Sequence, residues 1–303
     1  MFATLLGALP RPPVEADAPI GGLVEAAVRA QEAAGLEPIT DGGFGPADDP
    51  VAAWRAAARL TDRAVKQALE GPYSHGRDGA RRAAKRTAMT LARATALNTV
   101  LRELAGAGCP LIEIHEPAAV SIGPDPAERA LYREAHHRLL EGVADAHLSL
   151  ALTGGNADTA GIETLLAAPY ASLAVDLIAG PENWRLVTAT PGNLGIVCGA
   201  LSVAGDSYDG PEPLVWAAGY AASTWSRGLA RVGLATAGTL AALTWASAVA
   251  KMTRLGEAAR LAAAPADERV EAMDPRAVSS RAAALGRSVP QPRPGPDPGD
   301  DAT

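Results

Sequence analysis

Short runs of apolar residues alternate along the chain with longer Ala-rich segments in which apolar positions recur every three or four residues. The short runs predict buried strands, and the longer segments predict amphipathic helices. The predicted strands span 3–9, 37–43, 64–70, 110–117, 146–152, 172–178, 193–200 and 231–237. The predicted helices span 21–35, 50–62, 80–107, 126–145, 161–170, 182–190, 212–229 and 243–264. Strand followed by helix throughout predicts parallel strands, and about eight such units favour a single α/β domain, a (β/α)8 TIM barrel.

The alternation of strands and helices covers residues 1–264, which we expect to form one barrel. Asp125-Pro126 offers an N-cap and a first-turn proline for the helix at 126–145. The helical pattern weakens over 265–287, which is interpreted as a C-terminal extension. Residues 288–303 are rich in Pro and charge, so the composition predicts a disordered tail.

Composition narrows the classes of partner. With 34 acidic against 27 basic residues the net charge is −7, and aromatic residues are scarce. Neither feature favours nucleic-acid binding. The chain has 2 cysteines in apolar stretches and no pattern typical of a signal peptide, so we expect a cytoplasmic protein without a disulfide framework.

The uncharged stretch from Val232 to Ala250 approaches the length of a membrane span. Its Gly, Thr and Ser interruptions favour a buried strand that leads into a barrel helix, so we expect no membrane association. Trp216, Tyr220 and Trp225 could cover either the core or a subunit contact, which leaves a homo-oligomer or a partner subunit open.

In a barrel of this type the active site lies at the carboxyl ends of the strands. The candidate side chains there come from Glu113-Ile114-His115-Glu116-Pro117, from His147-Leu148-Ser149 and from Asp176. Adjacent strands are about 4.8 Å apart, which could bring His115, His147 and Asp176 together. Two histidines and a carboxylate can hold one divalent metal, zinc or iron. Alternatively, His147 and Asp176 hydrogen-bond each other or a substrate without metal.

Other polar residues are weaker candidates. His75 follows the third predicted strand and could contact a ligand or only solvent. Gly154-Gly155-Asn156 forms a flexible turn after the fifth strand. His136 and His137 lie within a predicted helix, where a surface role is expected.

Several motifs, in matching order over about residues 3–260, resemble the C-terminal catalytic domain of cobalamin-independent methionine synthase. They are Gly7-Ala8-Leu9-Pro10-Arg11, Gln31-Glu32-Ala33-Ala34-Gly35-Leu36, Ile39-Thr40-Asp41-Gly42, Gly71-Pro72-Tyr73 and Ile112-Glu113-Ile114-His115-Glu116-Pro117. We expect substrate contacts from Arg11, Asp41, His75, Ser149 and Asn156, and catalytic roles for His115, Glu116, His147 and Asp176.

The same resemblance implies that the family's zinc site is degenerate in this chain. The family binds a catalytic zinc that activates the homocysteine thiol. Its His-x-Cys pair matches His147-Leu148-Ser149, its Glu ligand matches Asp176, and its last Cys matches Gly238 approximately. An acidic residue of its amino-group site is replaced by Gly43, and an Asp by His115. Methionine synthesis is therefore not expected.

The resemblance favours a divergent enzyme that acts on a small molecule at the barrel mouth, by methyl or alkyl transfer or by a lyase step in specialised metabolism. Two alternatives stay open from the sequence. One is a catalytically silent homologue that binds a small molecule or a partner subunit, and the other is a metal-dependent hydrolase.

Overall fold

The structure, a computed structural model, describes residues 1–15, 17–205 and 210–273. It divides into one unit over Met1–Ala263 and a second over Ala264–Thr303. In the first unit, parallel strands are followed by helices, as the sequence pattern predicts. The strands are β1 Phe2–Thr4, β2 Lys66–Glu70, β3 Leu111–His115, β4 His147–Leu152, β5 Ser172–Asp176, β6 Gly195–Leu201 and β7 Val232–Thr236.

Helices cover the sheet. They are α1 Ile20–Ala33, α2 Pro50–Ala58, α3 Pro72–Gly79, α4 Ala83–Gly106, α5 Pro126–Leu140, α6 Ile162–Leu165, α7 Trp184–Ala189, α8 Pro211–Ser223 and α9 Trp245–Ala263. In the second unit the described part contains α10 Ala266–Met273. The tail predicted at 288–303 lies outside the described residues. Helix α4 lies within the segment 80–107, which the sequence predicts as one helix. The short helix α3, just before this segment, is not predicted from the sequence.

The sheet has seven strands in the order β1-β7-β6-β5-β4-β3-β2, and every pairing is parallel. Within the described residues this sheet is a curled, partial barrel, which we call the barrel. It has no eighth strand, because the strand predicted at 37–43 is reduced to isolated bridges. Glu37 bridges Ala3, and Ile39 bridges Val65. The chain then leaves the sheet at Asp41, whose carboxylate accepts the amide hydrogens of Gly43 at 2.8 Å and Gly45 at 3.0 Å. Such local side-chain hydrogen bonds favour a turn over a strand.

The interior of the curled sheet is filled by small and branched side chains. A buried cluster consists of Leu6, Ala151, Ala174, Val197 and Ala235, with Phe2 packed against it. Successive residues of a strand point to opposite faces, so these positions mark the inward face of each strand. On the same face of β2 and β3 lie Lys66, Glu113 and His115, which place charge inside the barrel.

Local capping fixes the helices as the sequence predicts. The Asp125 carboxylate accepts the amide hydrogen of Ala127 at 2.8 Å, and Pro126 occupies the first turn of α5. The stretch from Val232 to Ala250 forms β7 and the start of α9. None of the helices in the described residues is long and apolar enough to cross a membrane.

Trp216, Tyr220 and Trp225 are exposed rather than part of the core, with Trp216 at 58%. Trp216 stacks on Tyr220 with ring centroids 5.3 Å apart, and Trp184 meets both rings edge-on. The aromatic residues of α7 and α8 therefore form a surface patch.

Candidate functional site

A buried ion pair lies inside the barrel between β2 and β3. Lys66 Nζ lies 2.8 Å from each carboxylate oxygen of Glu113 and donates to the Leu5 carbonyl at 2.7 Å. The two side chains are 1% and 2% exposed. Burial by itself raises the pKa of Glu113, but the Lys66 ammonium and the His115 ring lower it to about 2. Burial lowers the pKa of Lys66, and the Glu113 charge opposes this shift.

His115 extends this pair toward the carboxyl mouth of the barrel. Its Nε2 lies 2.7 Å from Glu113 Oε1, and its side chain is 17% exposed. The Glu113 carboxylate contacts Nε2 and so orients the ring, which leaves Nδ1 as the ring nitrogen that can meet a ligand. A carboxylate that orients an imidazole is the arrangement that supports general acid–base catalysis. Lys66, Glu113 and His115 thus form a relay from the barrel interior to the mouth.

His115, the outer residue of this relay, lines a cleft of about 600 Å³ on the side where the eighth strand is incomplete. Polar residues that line it include Thr40, Asp41, Glu70, Arg93 and His115, together with the buried Lys66–Glu113 pair. The Arg93 Nε atom is buried and has no hydrogen-bond partner among the described residues. An unsatisfied buried donor is costly, so this guanidinium is a candidate for binding an anionic group of a ligand. No sequence pattern distinguishes Arg93 from the other Arg residues on helical faces.

The structure does not bring His115, His147 and Asp176 together. His147 is the first residue of β4 and pairs with Leu111, the first residue of β3, whereas His115 ends β3. Four residues of strand separate the two histidines along the strand direction, or about 13 Å. The predicted three-ligand metal site is therefore not assembled. Among the described residues, no group of three or more His, Cys, Asp or Glu side chains is placed to hold a metal ion.

Asp176 is at the carboxyl end of β5, as expected, but its oxygens are used structurally. Oδ1 accepts the amide hydrogens of Ile178 at 2.9 Å and Ala179 at 2.8 Å, and Oδ2 accepts that of Gly154 at 3.0 Å. The residue is 2% exposed. Its carboxylate therefore holds the loops after β4 and β5 together.

Glu116 has a similar structural role at the start of α3. Its Oε1 accepts the Tyr73 amide hydrogen at 2.9 Å, and its Oε2 accepts the Ser74 amide and hydroxyl hydrogens at 2.7 and 2.6 Å. His136 Nε2 lies 3.1 Å from Oε1, and its Nδ1 lies 2.5 Å from the Tyr170 hydroxyl. The expectation of a surface role for His136 is wrong, because it is fully buried, while His137 is exposed.

The remaining predicted contact residues are dispersed. Asp41 lines the cleft. His75 is near the edge of the cleft, where its Nδ1 lies 3.0 Å from Oε2 of the lining residue Glu70. Arg11 is exposed and donates to the Glu15 carbonyl at 3.3 Å. Asn156 is also exposed, and its Oδ1 accepts the Glu182 amide hydrogen at 3.0 Å.

Ser149 faces the barrel interior toward the amino ends of the strands, away from the predicted mouth. It is 1% exposed, and its hydroxyl has no hydrogen-bond partner among the described residues. His147 lies at the same end, where its Nε2 is 2.8 Å from Ser172 Oγ, and desolvation lowers its pKa.

The described residues at the carboxyl mouth do not fit the zinc site that the resemblance implies. The strand-end counterparts of His147 and Ser149 are Ala151 and Thr153, neither of which is an imidazole or thiolate donor. Burial raises the pKa of Cys109 to about 11 and that of Cys198 to about 12. Both thiols are buried and protonated at neutral pH. The donor set therefore lacks a thiolate at the mouth.

The position of Gly43 also excludes the carboxylate that the resemblance would place there. Its φ is +81°, and a Cβ atom would lie 2.7 Å from the Cβ atom of Ala8. A side chain at this position would strain the turn and collide with the loop after β1.

Solved structures of other proteins share this fold. One is a B12-independent methionine synthase from Shewanella sp. W3-18-1 in complex with selenomethionine, with a TM-score of 0.67 at 15% identity over 86% of this chain and 96% of that chain. Another is a putative vitamin-B12-independent methionine synthase from Listeria monocytogenes, with a TM-score of 0.64 at 16% identity over 86% of this chain and 97% of that chain. No family model and no curated protein matches the sequence. At these identities the likeness shows the fold alone.

Proposed function

We propose that the chain is a divergent enzyme with a methionine-synthase-like fold, which acts on a small anionic molecule in the cleft at the carboxyl end of the sheet. The observation that carries the proposal is the relay Lys66–Glu113–His115, which ends on a partly exposed imidazole in a cleft of about 600 Å³. A cleft of this size is in the usual range for small-molecule sites.

The proposed chemistry depends on two residues that line the cleft, His115 and Arg93. Glu113 fixes the His115 ring, so His115 can accept a proton from a substrate thiol, amine or carbon acid and return it later. Arg93 supplies a positive charge with an unsatisfied buried donor, which suits a substrate carboxylate or phosphate. Proton abstraction from the substrate by His115 is the step that the two reaction types have in common: from a thiol or amine nucleophile in methyl or alkyl transfer, and from a carbon acid in a lyase reaction.

Because the mouth donors do not fit the family's zinc site, no step of the proposed reaction is assigned to a metal. In the degenerate site, activation of the nucleophile would fall to His115 instead. The loss of thiolate donors and of the carboxylate at Gly43 argues against homocysteine as the substrate, since its amino group would lose its acidic partner.

The test is product formation from small thiols and amines paired with alkyl donors, followed by mass spectrometry. We expect His115→Gln to lower turnover by about 10²–10⁴-fold, the range for loss of a general base. His75→Gln removes an imidazole at the edge of the cleft, and His147→Gln removes one at the opposite end of the barrel. Both controls should keep activity within a few fold.

A catalytically silent homologue is the second candidate. It is favoured by the observation that Glu116 and Asp176 have their carboxylate oxygens occupied by backbone amides. Ligand-induced shifts of the His115 ring signal in NMR spectra without any product would support binding alone. Turnover that survives His115→Gln would contradict the proposed mechanism.

A further inference from the structure

A second cavity lies at the amino end of the barrel, opposite the proposed catalytic cleft. Its volume is about 320 Å³. Polar side chains that line it include Ser149, His147, Ser172, Asn193 and Arg231, and apolar walls come from residues such as Phe2 and Ile196. The volume lies at the lower end of the range for small-molecule sites, so the cavity suits a molecule of a few carbons.

The interior of this cavity presents an unsatisfied donor. Ser149 is 1% exposed, points to the inward face of β4 and has no hydrogen-bond partner for its hydroxyl among the described residues. Buried hydroxyls are normally hydrogen-bonded, because an unmade bond costs about 1–3 kcal/mol in desolvation. Toward the opening, Ser172 Oγ and His147 Nε2 form a 2.8 Å hydrogen bond. The cavity thus has an unpaired polar group at depth and further polar groups toward its rim.

The charge of the cavity favours an anion. Glu113 lines its inner wall, but this carboxylate already contacts Lys66 and His115. Arg231 is exposed at the rim and makes no salt bridge within the described residues. The guanidinium of Arg231, the imidazole of His147 and the amide of Asn193 line the same cavity, and such donors match a carboxylate.

We propose that this amino-end cavity binds a small carboxylate, with the carboxylate group at Arg231 and a hydroxyl or carbonyl oxygen at Ser149. The Lys66–Glu113 pair lines both this cavity and the cleft of the proposed function, but Arg231 and Ser149 line this cavity and are not among the residues that line the cleft. The test of this proposal needs no catalytic activity. The ligand class is a short hydroxy or keto acid, since one anionic group and one neutral oxygen match the donors at the rim and at depth.

The test uses the intact protein with isotope-labelled histidine, which gives ring signals for its 5 histidines. L-Lactate and pyruvate serve as the hydroxy-acid and keto-acid probes, and lactamide serves as the uncharged control. We expect saturable shifts of the His147 signal with the two acids and none with lactamide. Arg231→Gln should weaken binding by about 10–100-fold and Ser149→Ala by about 2–10-fold, as loss of a charged or neutral hydrogen bond predicts. Arg260→Gln, which changes an exposed Arg of α9 at the rim of another cavity, should leave binding unchanged.

Three outcomes would overturn the proposal. The first is the absence of a saturable His147 shift with either acid up to about 50 mM, well above the range of about 1 μM to 1 mM in which enzymes commonly bind metabolites. The second is equal affinity in wild type, Ser149→Ala and Arg231→Gln. The third is a shift of the His115 signal without a shift of His147, which would place the probe in the carboxyl-end cleft. Because Ser149 has no partner, Ser149→Ala is expected to fold normally, so weakened binding in this variant reports the site rather than the fold.

Discussion

The buried pair of Lys66 and Glu113 makes a strong prediction about stability. Lys66→Met removes the ammonium but leaves the Glu113 carboxylate 2% exposed, with the His115 ring as its remaining partner. Removal of one member of a buried ion pair costs about 3–5 kcal/mol, because the other charge stays desolvated. We therefore expect Lys66→Met to lose about that much free energy of unfolding.

The pKa of Glu113 gives a second value for the contribution of this ion pair to the free energy of unfolding. In the folded protein it is about 2, against an ordinary value of 4.5. A difference of about 2.5 units corresponds to about 3 kcal/mol. Because the folded-state pKa is the lower one, this stability is fully present above about pH 4.5 and is lost as the pH falls toward 2. Glu113→Gln should flatten this acid limb relative to wild type.

The assay is urea unfolding monitored by tryptophan fluorescence and circular dichroism, at neutral pH and along a series down to about pH 3. The double variant Lys66→Met/Glu113→Leu is the matched control, because it removes both charges and leaves an apolar pair. It should recover most of the loss, since a buried ion pair is often no more stable than an apolar replacement. A loss below about 1 kcal/mol in Lys66→Met would refute the reasoning, as would a double variant no more stable than the single one.

Three further changes test the roles assigned to buried groups, each by urea unfolding. Asp176→Asn keeps one acceptor oxygen but loses charged hydrogen bonds to backbone amides, so we expect a loss of about 1–3 kcal/mol, and unchanged stability would contradict the loop-fixing role. Gly256→Ala would push a Cβ atom into the Ala34 carbonyl, at a cost of about 1–3 kcal/mol, while a neutral effect would show that α9 can move away easily. Arg227→Met leaves several carbonyl groups near β6 and α8 without their donor and should cost about 2–4 kcal/mol, whereas retained stability would show that water replaces the guanidinium.

The order of strands and helices could be predicted from the sequence because it depends on local periodicity. Runs such as Leu111–His115 and Val232–Thr236 are mainly apolar, and the helix that begins at Pro126 carries its own N-cap. These signals act within a few residues, so they need no tertiary information. The exception was 37–43, where the turn at Asp41 outweighs the apolar run before it.

The candidate site was predicted less well, because position along a strand depends on pairing. His147 and Ser149 were expected at the barrel mouth, but the register pairs His147 with Leu111 at the amino end. A shift of four residues keeps every side chain on the same face, so periodicity cannot detect it. His115 was expected at a strand end, and it is the last residue of β3.

The sequence by itself determined a chain of parallel strands and covering helices, and it identified His115 as a strand-end imidazole. Only the tertiary structure decided what the carboxylates do. Glu116 binds backbone amides at the start of α3, and Asp176 binds those of the loops after β4 and β5. Glu113 instead pairs with Lys66, which lies 47 residues away in the chain. The physical reason is that a carboxylate has the same local signature whether it binds a substrate, a lysine or a helix end. Its role is fixed by the donors that folding brings within about 3 Å.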